Sequence, residues 1–316
     1  MNQLHVVTGA GPVGSTVALQ LAEQGHHVRL LTRSGSGPDH PSVERRRADA
    51  SNRADLAAAF DGAVAVHHCI HGSAYAADTW RRELPRAERA VLVEAGVAGA
   101  VVIFPESLYS YGQVDGPMTE DSPRNATRGK LGVRTELLRE REASATPTVS
   151  VAASDFYGPL VRNAHAAQRM VPTVLAGATM RVLGSPDQPH SWTYVPDLAA
   201  AMIRTAASPE LWNTVLHAPT AGPLTQRQLV QMYADAAGVP APRIASIPVW
   251  AMQALGAVHP GTRELAETGY MFTAPFVLDS SRSQRLLDMA PTPLEVGAKA
   301  TVDWWRHEIE DRATDR

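Results

Sequence analysis

Over the first 155 residues, short apolar runs alternate with longer stretches in which Ala and Leu recur at helical spacing. The runs near Leu4–Thr8, His27–Thr32, Glu44–Ala48, Ala63–Cys69, Gly99–Phe104 and Thr148–Ala153 read as strands. The stretches near Pro12–Gln24, Arg53–Phe60, Ser73–Ala95 and Thr127–Ala143 read as helices with one apolar face. Six strands interleaved with helices predict βαβ units, and so an α/β, doubly wound parallel sheet. After Ala153 the alternation fades and Pro, Gly and aromatic residues become frequent, as in Tyr157-Gly158-Pro159 and Pro240 to Pro242, which predicts a smaller, mainly helical C-terminal lobe. We therefore expect a first domain over 1–155 that also takes in about 192–215, and a lobe over 156–316. A strand is expected at Trp192–Val195, and Asp197 is placed to cap the helix after it.

The first strand runs directly into Gly9-Ala10-Gly11-Pro12-Val13-Gly14, which opens the first helix. In that context the pattern predicts a Rossmann dinucleotide site. Gly9 and Gly11 let the backbone turn and approach a pyrophosphate, Gly14 lets helix and strand pack closely, and the helix N-terminus through Pro12 and Val13 favours the anion. The second strand ends at Thr32 rather than at a carboxylate that would grip ribose hydroxyls and repel a phosphate. Arg33 and Ser34 follow, a guanidinium and a hydroxyl suited to a 2′-phosphate, so NADP is expected over NAD, with a solvated loop arginine as the alternative. Asp49 is placed either to accept from the adenine amino group or to cap the next helix. Ala50 beside it, Cys69 at the end of the fourth strand and Phe156 after the sixth complete the expected cofactor contacts.

Composition narrows the partners. A formal net charge of −3 offers no basic surplus for a nucleic-acid backbone. One cysteine excludes an internal disulfide framework, no apolar run is long enough for a membrane helix, and the N-terminus enters a strand without a leader pattern, so a cytoplasmic protein acting on a small molecule is expected.

These residues together resemble an extended short-chain dehydrogenase/reductase, the group that includes nucleotide-sugar epimerases and dehydratases. The resemblance spans nearly the whole chain. Beyond the glycine turn it rests on Ser107 through Tyr111-Gly112, Pro117-Met118-Thr119-Glu120, Asp155-Phe156-Tyr157-Gly158-Pro159, Trp192-Thr193-Tyr194-Val195-Pro196-Asp197 and Pro291-Thr292-Pro293-Leu294. It implies a nicotinamide lying between core and lobe, and a homodimer through the third and fourth helices.

The family's chemistry uses a Tyr and a Lys four residues apart on one helix, the Lys lowering the Tyr pKa so that the Tyr exchanges a proton with substrate oxygen. This chain departs from that pattern. Its only lysines are Lys130 and Lys299, preceded four residues earlier by Ala126 and Glu295. The matching helix carries Arg128 and Gly132 at the two positions. Ser107 matches the family's catalytic Ser/Thr. Tyr109 is the expected substitute proton donor, with a buried packing role as the alternative, while Tyr111 belongs to a structural Tyr-Gly pair. Arg128 and Lys130 read as solvated helix-face residues or as balance for cofactor charge.

In His67-His68-Cys69-Ile70-His71, strand alternation puts His67, Cys69 and His71 on one side. With no second ligand cluster, a metal is not expected, and His71 beside the nicotinamide is a further candidate donor. Nucleotide-sugar members typically carry a phosphate-binding Arg where this chain has His190. The lobe instead supplies Phe156, Met170, Trp192, Trp250, Met252, Met271 and Phe272, which favour a compact apolar or aromatic substrate over a diphosphate. Three functions fit: an NADPH-dependent oxidoreductase on a small carbonyl or alcohol, a non-redox lyase, isomerase or epimerase on the same scaffold, or a non-catalytic NADP-binding regulator.

Overall fold

The computed structural model describes residues 2–256 and 259–314. The first half is β1 (Leu4–Thr8), α1 (Pro12–Glu23), β2 (His27–Thr32), β3 (Val43–Arg47), α2 (Arg53–Phe60), β4 (Ala63–His68), α3 (Ala77–Ala98), β5 (Val101–Ser107), α4 (Gly129–Glu142) and β6 (Thr148–Ala153). There follow β7 (Asp155–Tyr157), α5 (Val171–Leu175), β8 (Met180–Leu183), β9 (Trp192–Tyr194), α6 (Val195–Ala206), β10 (Thr214–His217), α7 (Gln226–Ala237), β11 (Ile244–Ile247), α8 (Val249–Gly256), α9 (Pro260–Ala266), α10 (Ser281–Leu287) and α11 (Leu294–Thr314).

The central sheet has seven strands in the order β10-β6-β5-β4-β1-β2-β3, every pair parallel. The order reverses direction beside β1, so the crevice above the carboxyl ends of β1 and β4 is the ligand site of such a sheet. Both faces are covered. Val7, Ile103, Val149 and Val151 pack with α1 and α6 on one side, while Val6, Val66, Val102 and Phe104 pack with α2 and α3 on the other. Two small parallel pairs, β7 with β9 and β8 with β11, build the lobe.

Three expectations are corrected here. The sheet has a seventh strand, β10, whose four residues lie after a 3-10 turn at Pro209–Leu211 and carry too short a run to stand out in the sequence. Helix α3 begins at Ala77 rather than Ser73, and the stretch between β4 and α3 is irregular. Asp197 does not cap α6. The helix starts two residues earlier, after Tyr194, and the Asp197 carboxylate instead accepts from the Thr292 amide and hydroxyl at 2.7 Å each, tying α6 to the segment before α11.

One buried ionic network joins the layer that carries the site. Arg141 on α4 donates to both Glu88 oxygens at 2.8 and 2.7 Å, to Glu106 at 2.8 Å and to Ser150 at 3.0 Å, and its guanidinium lies 3.9 Å over the Phe104 ring. Its three polar partners come from α3, β5 and β6. Removing one partner of such a set strands the other charges in the interior. We expect Arg141→Ala to destabilise the fold by about 3–5 kcal/mol, read as a fall in the urea midpoint, because Glu88 loses its counter-charge and Glu106 keeps only Arg134 at 3.6 Å. A midpoint within error of the parent protein would contradict this role.

Candidate active site

At the end of β1 the chain turns through Gly9 at φ +91°, where a Cβ would come within 2.8 Å of the Cys69 carbonyl oxygen. Only glycine fits. A Cβ on Gly14 would overlap the Gly9 carbonyl, which is why α1 approaches β1 so closely. Gly11 faces open space, and no side chain caps α1, whose first turn begins with Pro12 and Val13. Free first-turn amides beside an unobstructed backbone are what a pyrophosphate requires, so these residues fit a dinucleotide.

At the adjoining strand ends, Thr32 Oγ1 donates to the Ser36 carbonyl at 3.0 Å, and the Ser34 and Ser36 hydroxyls lie 2.7 Å apart. This knits a short loop that holds Arg33 in solvent, its side chain in no ion pair among the described residues. Asp49 faces the same corner. Hydrogen bonds from the Ser51 amide and hydroxyl, with a smaller contribution from Arg33, hold its carboxyl below the usual range. The helix cap that Asp49 might have provided comes instead from Asn52, which accepts from the Ala54 amide at 3.1 Å. Ala50 turns into the core with Leu56 and Phe60, Cys69 is half-buried against the glycine turn with its thiol pushed up by burial, and Phe156 sits on β7 in the lobe.

The histidine stretch does not follow simple alternation. β4 ends at His68, so His71 lies outside the strand. His67 is buried against His5, Nε2 to Nδ1 at 3.4 Å, while His68 pairs with Thr8 Oγ1 at 2.8 Å. Among the described residues no group of three His, Cys, Asp or Glu side chains comes together. His71 sits edge-on to Trp80 at 4.6 Å. Desolvation in the cleft, then the Arg134 charge, lower it to about 4, so the ring is neutral near pH 7.

The other candidate donors converge at the end of β5. Ser107 caps its own strand end, donating to Glu106 Oε1 from its amide at 2.7 Å and its hydroxyl at 3.2 Å. Tyr109, two residues on, lies parallel to Trp80 at 6.2 Å, and its hydroxyl is 2.8 Å from the hydroxyl of Tyr75. Tyr75 comes from the irregular stretch between β4 and α3 and was missed in the sequence; a lone Tyr among Ser73, Ala74 and Ala76 in a predicted helix gave no signal. Burial, then the neighbouring Tyr75 and Asp155, raise Tyr109 well above the ordinary phenol range. Tyr111 packs away from this group and bonds His217 Nε2 at 2.7 Å.

Lys130 is fully buried, contrary to its reading as a solvated helix-face residue or a balance for cofactor charge. Its ammonium donates to the Glu264 carboxylate at 2.6 Å and the Glu264 carbonyl at 2.8 Å, and it forms an ion pair with Glu267 at 2.6 Å. The same carboxylates accept the Ala77 amide at the start of α3 and the Lys130 amide at the start of α4. One distant segment, 187 residues from Ala77 and 137 from Lys130, thus caps both helices. His190 is likewise engaged: buried between Trp192 and Phe272, it faces Asp155 Oδ2 at 2.7 Å through Nε2 and the Met271 carbonyl at 3.2 Å through Nδ1. Burial alone would raise the Asp155 carboxyl, but the His190 contact more than offsets it and leaves the group below its usual range.

Residues 5–214 match the model of the NAD dependent epimerase/dehydratase family. The chain belongs to this family. Two curated relatives, dTDP-4-dehydro-6-deoxy-D-allose reductases from Streptomyces sp and Streptomyces bikiniensis, are each 25% identical, with 95% and 96% respectively of both chains covered. Among solved structures, Bordetella bronchiseptica WbmH in complex with NAD+ superposes with a TM-score of 0.77 at 18% identity, covering 97% of this chain and 99% of the other. A UDP-glucose 4-epimerase from Thermotoga maritima with UDP-glucose gives 0.78 at 19%, covering 97% and 100%. No helix among the described residues is long and apolar enough to cross a membrane.

Burial of three neutral histidines beside the glycine turn has a cost in acid. Burial first, then the His26 charge, lowers His5 to about 4, and burial first, then Arg141 and Arg134, lowers His68 to about 3; His67 is also lowered. The unfolded chain therefore binds protons before the folded one does. Stability is complete above about pH 6.5 and declines as pH falls from there toward 4. At pH 5 we expect a loss of roughly 2 kcal/mol for each of His5 and His68, measured as a lower urea midpoint than at pH 7. A midpoint independent of pH over that range would refute it.

Proposed function

We propose that this chain is an NADPH-dependent reductase that converts a ketone on a sugar-type substrate to an alcohol, with Tyr109 as proton donor and Ser107 as the second hydroxyl on the carbonyl oxygen. The observation that carries the reading is the Tyr109 hydroxyl, held by Tyr75 at 2.8 Å beyond the end of β5, the strand end that borders the nicotinamide in this architecture. Bound NADPH supplies the hydride. Gly9, Gly11, Pro12, Val13 and Gly14 would hold its pyrophosphate, and Arg33 with Ser34 its 2′-phosphate.

Tyr109 lacks the adjacent ammonium that the family's lysine supplies, and its raised pKa keeps it a neutral phenol. A neutral phenol still protonates an alkoxide forming beside it, because the alkoxide is the stronger base. The reverse reaction must begin from a phenolate, so this site favours reduction. That direction agrees with the curated relatives, whose names describe reductases of a dTDP-linked keto sugar. Those relatives also replace the small, compact carbonyl expected from the lobe's apolar residues with a sugar ketone. His190 has both ring nitrogens engaged and offers no donor to a substrate diphosphate, so any such group would be held elsewhere in the lobe.

Two measurements test this. Arg33→Ala should weaken NADPH binding by roughly 10-fold to 100-fold, the worth of a charge-assisted hydrogen bond, and leave NADH unchanged. Equal loss for both nucleotides in a calorimetric titration would remove Arg33 from the 2′-phosphate site. Tyr109→Phe should lower kcat for NADPH oxidation with dTDP-linked keto sugars by about 100-fold while KM stays within a few-fold. An undiminished kcat would end the case for Tyr109 as donor.

A further inference from the structure

Tyr75 has more constraints than packing alone requires. Its ring stands edge-on to Trp80 at 5.5 Å, parallel to His71 at 6.4 Å, and under the Lys130 ammonium at 4.5 Å from the ring centroid. Lys130 is itself locked by two carboxylates. The phenol is therefore fixed in position, and its hydroxyl has two neighbours: Tyr109 at 2.8 Å and Thr268 Oγ1 at 3.5 Å. The Thr268 hydroxyl donates to the Leu265 carbonyl at 3.1 Å, so it only accepts from Tyr75, and at the longer distance. The better bond for the Tyr75 proton is to Tyr109, which leaves the Tyr109 proton free to aim into the cleft.

We propose that Tyr75 is a proton-relay residue, completing a two-tyrosine donor that stands in for the missing Tyr and Lys pair. The proposal rests on the reductase reading above. As hydride from NADPH forms the new C–H bond, the carbonyl π electrons move to oxygen, which takes the Tyr109 proton. The electron pair of the broken O–H bond stays on the Tyr109 oxygen, which takes the Tyr75 proton along their shared hydrogen bond, and Tyr75 regains its proton from water. The nicotinamide is oxidised, the ketone is reduced to an alcohol, and one solvent proton is consumed. Negative charge is shared between two oxygens instead of being neutralised by an ammonium.

Tyr75→Phe keeps the ring and its contacts with Trp80, His71 and Lys130 while deleting only the hydroxyl. We would measure ketone-dependent NADPH oxidation with dTDP-linked keto sugars and a panel of simpler ketones, in mixtures of light and heavy water. For the parent protein we expect the rate to curve with deuterium fraction, as two protons in flight require. In Tyr75→Phe the expected result is a kcat about tenfold lower, an unchanged KM and NADPH Kd, and a straight deuterium dependence. The Tyr75→Phe/Tyr109→Phe double variant should be no slower than Tyr109→Phe alone, because Tyr75 acts only through Tyr109. An unchanged kcat and curvature in Tyr75→Phe overturns the relay, as does a loss confined to KM or NADPH affinity, or a double variant in which the two losses multiply. A parent protein that binds NADPH yet reduces no ketone in the panel overturns the reductase reading and the relay with it.

Discussion

A buried ammonium must be neutralised where it lies, and in this chain that requirement organises the site. Lys130, at the start of α4, draws Glu264 and Glu267 from the C-terminal half against the nucleotide-binding core. The same carboxylates cap α3 and α4, so a single cluster fixes the two helices that flank the cleft and the chain that crosses it. Tyr75 lies under that ammonium and Thr268 follows Glu267, which places the candidate proton donors between core and lobe. Electrostatics and the candidate chemistry are thus joined in one contact, with the ammonium turned toward carboxylates of the C-terminal half.

The doubly wound sheet was legible because its central strands β1, β4, β5 and β6 are largely buried and read as apolar runs, whereas β3 at the edge is charged and exposed. The glycine turn was legible because steric limits at Gly9 and Gly14 leave little choice of residue. Errors arose where tertiary partners override local pattern. β10 is stabilised by pairing with β6 and not by its own run. Asp197 is a plausible cap from its local sequence, but it serves Thr292 from a distant segment. Strand alternation carried past His68 aligns His71 with His67, but β4 stops at His68.

The candidate chemistry was legible in part for the same reason. Ser107 ends β5 and Tyr109 follows it, so their placement follows from local order. Tyr75, Asp155 and the partners of Lys130 gain their meaning only through contacts between remote segments. The sequence also shows which family residues are missing with certainty, but not what fills their places. His190 exemplifies this: loss of the family's arginine is visible in the chain, while its pairing with Asp155 under an aromatic roof is not.

By the resemblance of its sequence, Gly132 matches the helix position where the family carries its lysine. A Cβ there would come within 2.6 Å of the Thr127 carbonyl oxygen, inside contact distance of rigid backbone. Gly129, one turn earlier, adopts φ +57° and leaves its side-chain space to the Glu267 carboxylate. A side chain at Gly132 therefore requires the Thr127 backbone to shift. The start of this helix is thus shaped around two absent side chains, rigid backbone resisting a larger residue at Gly132 and the positive φ resisting one at Gly129.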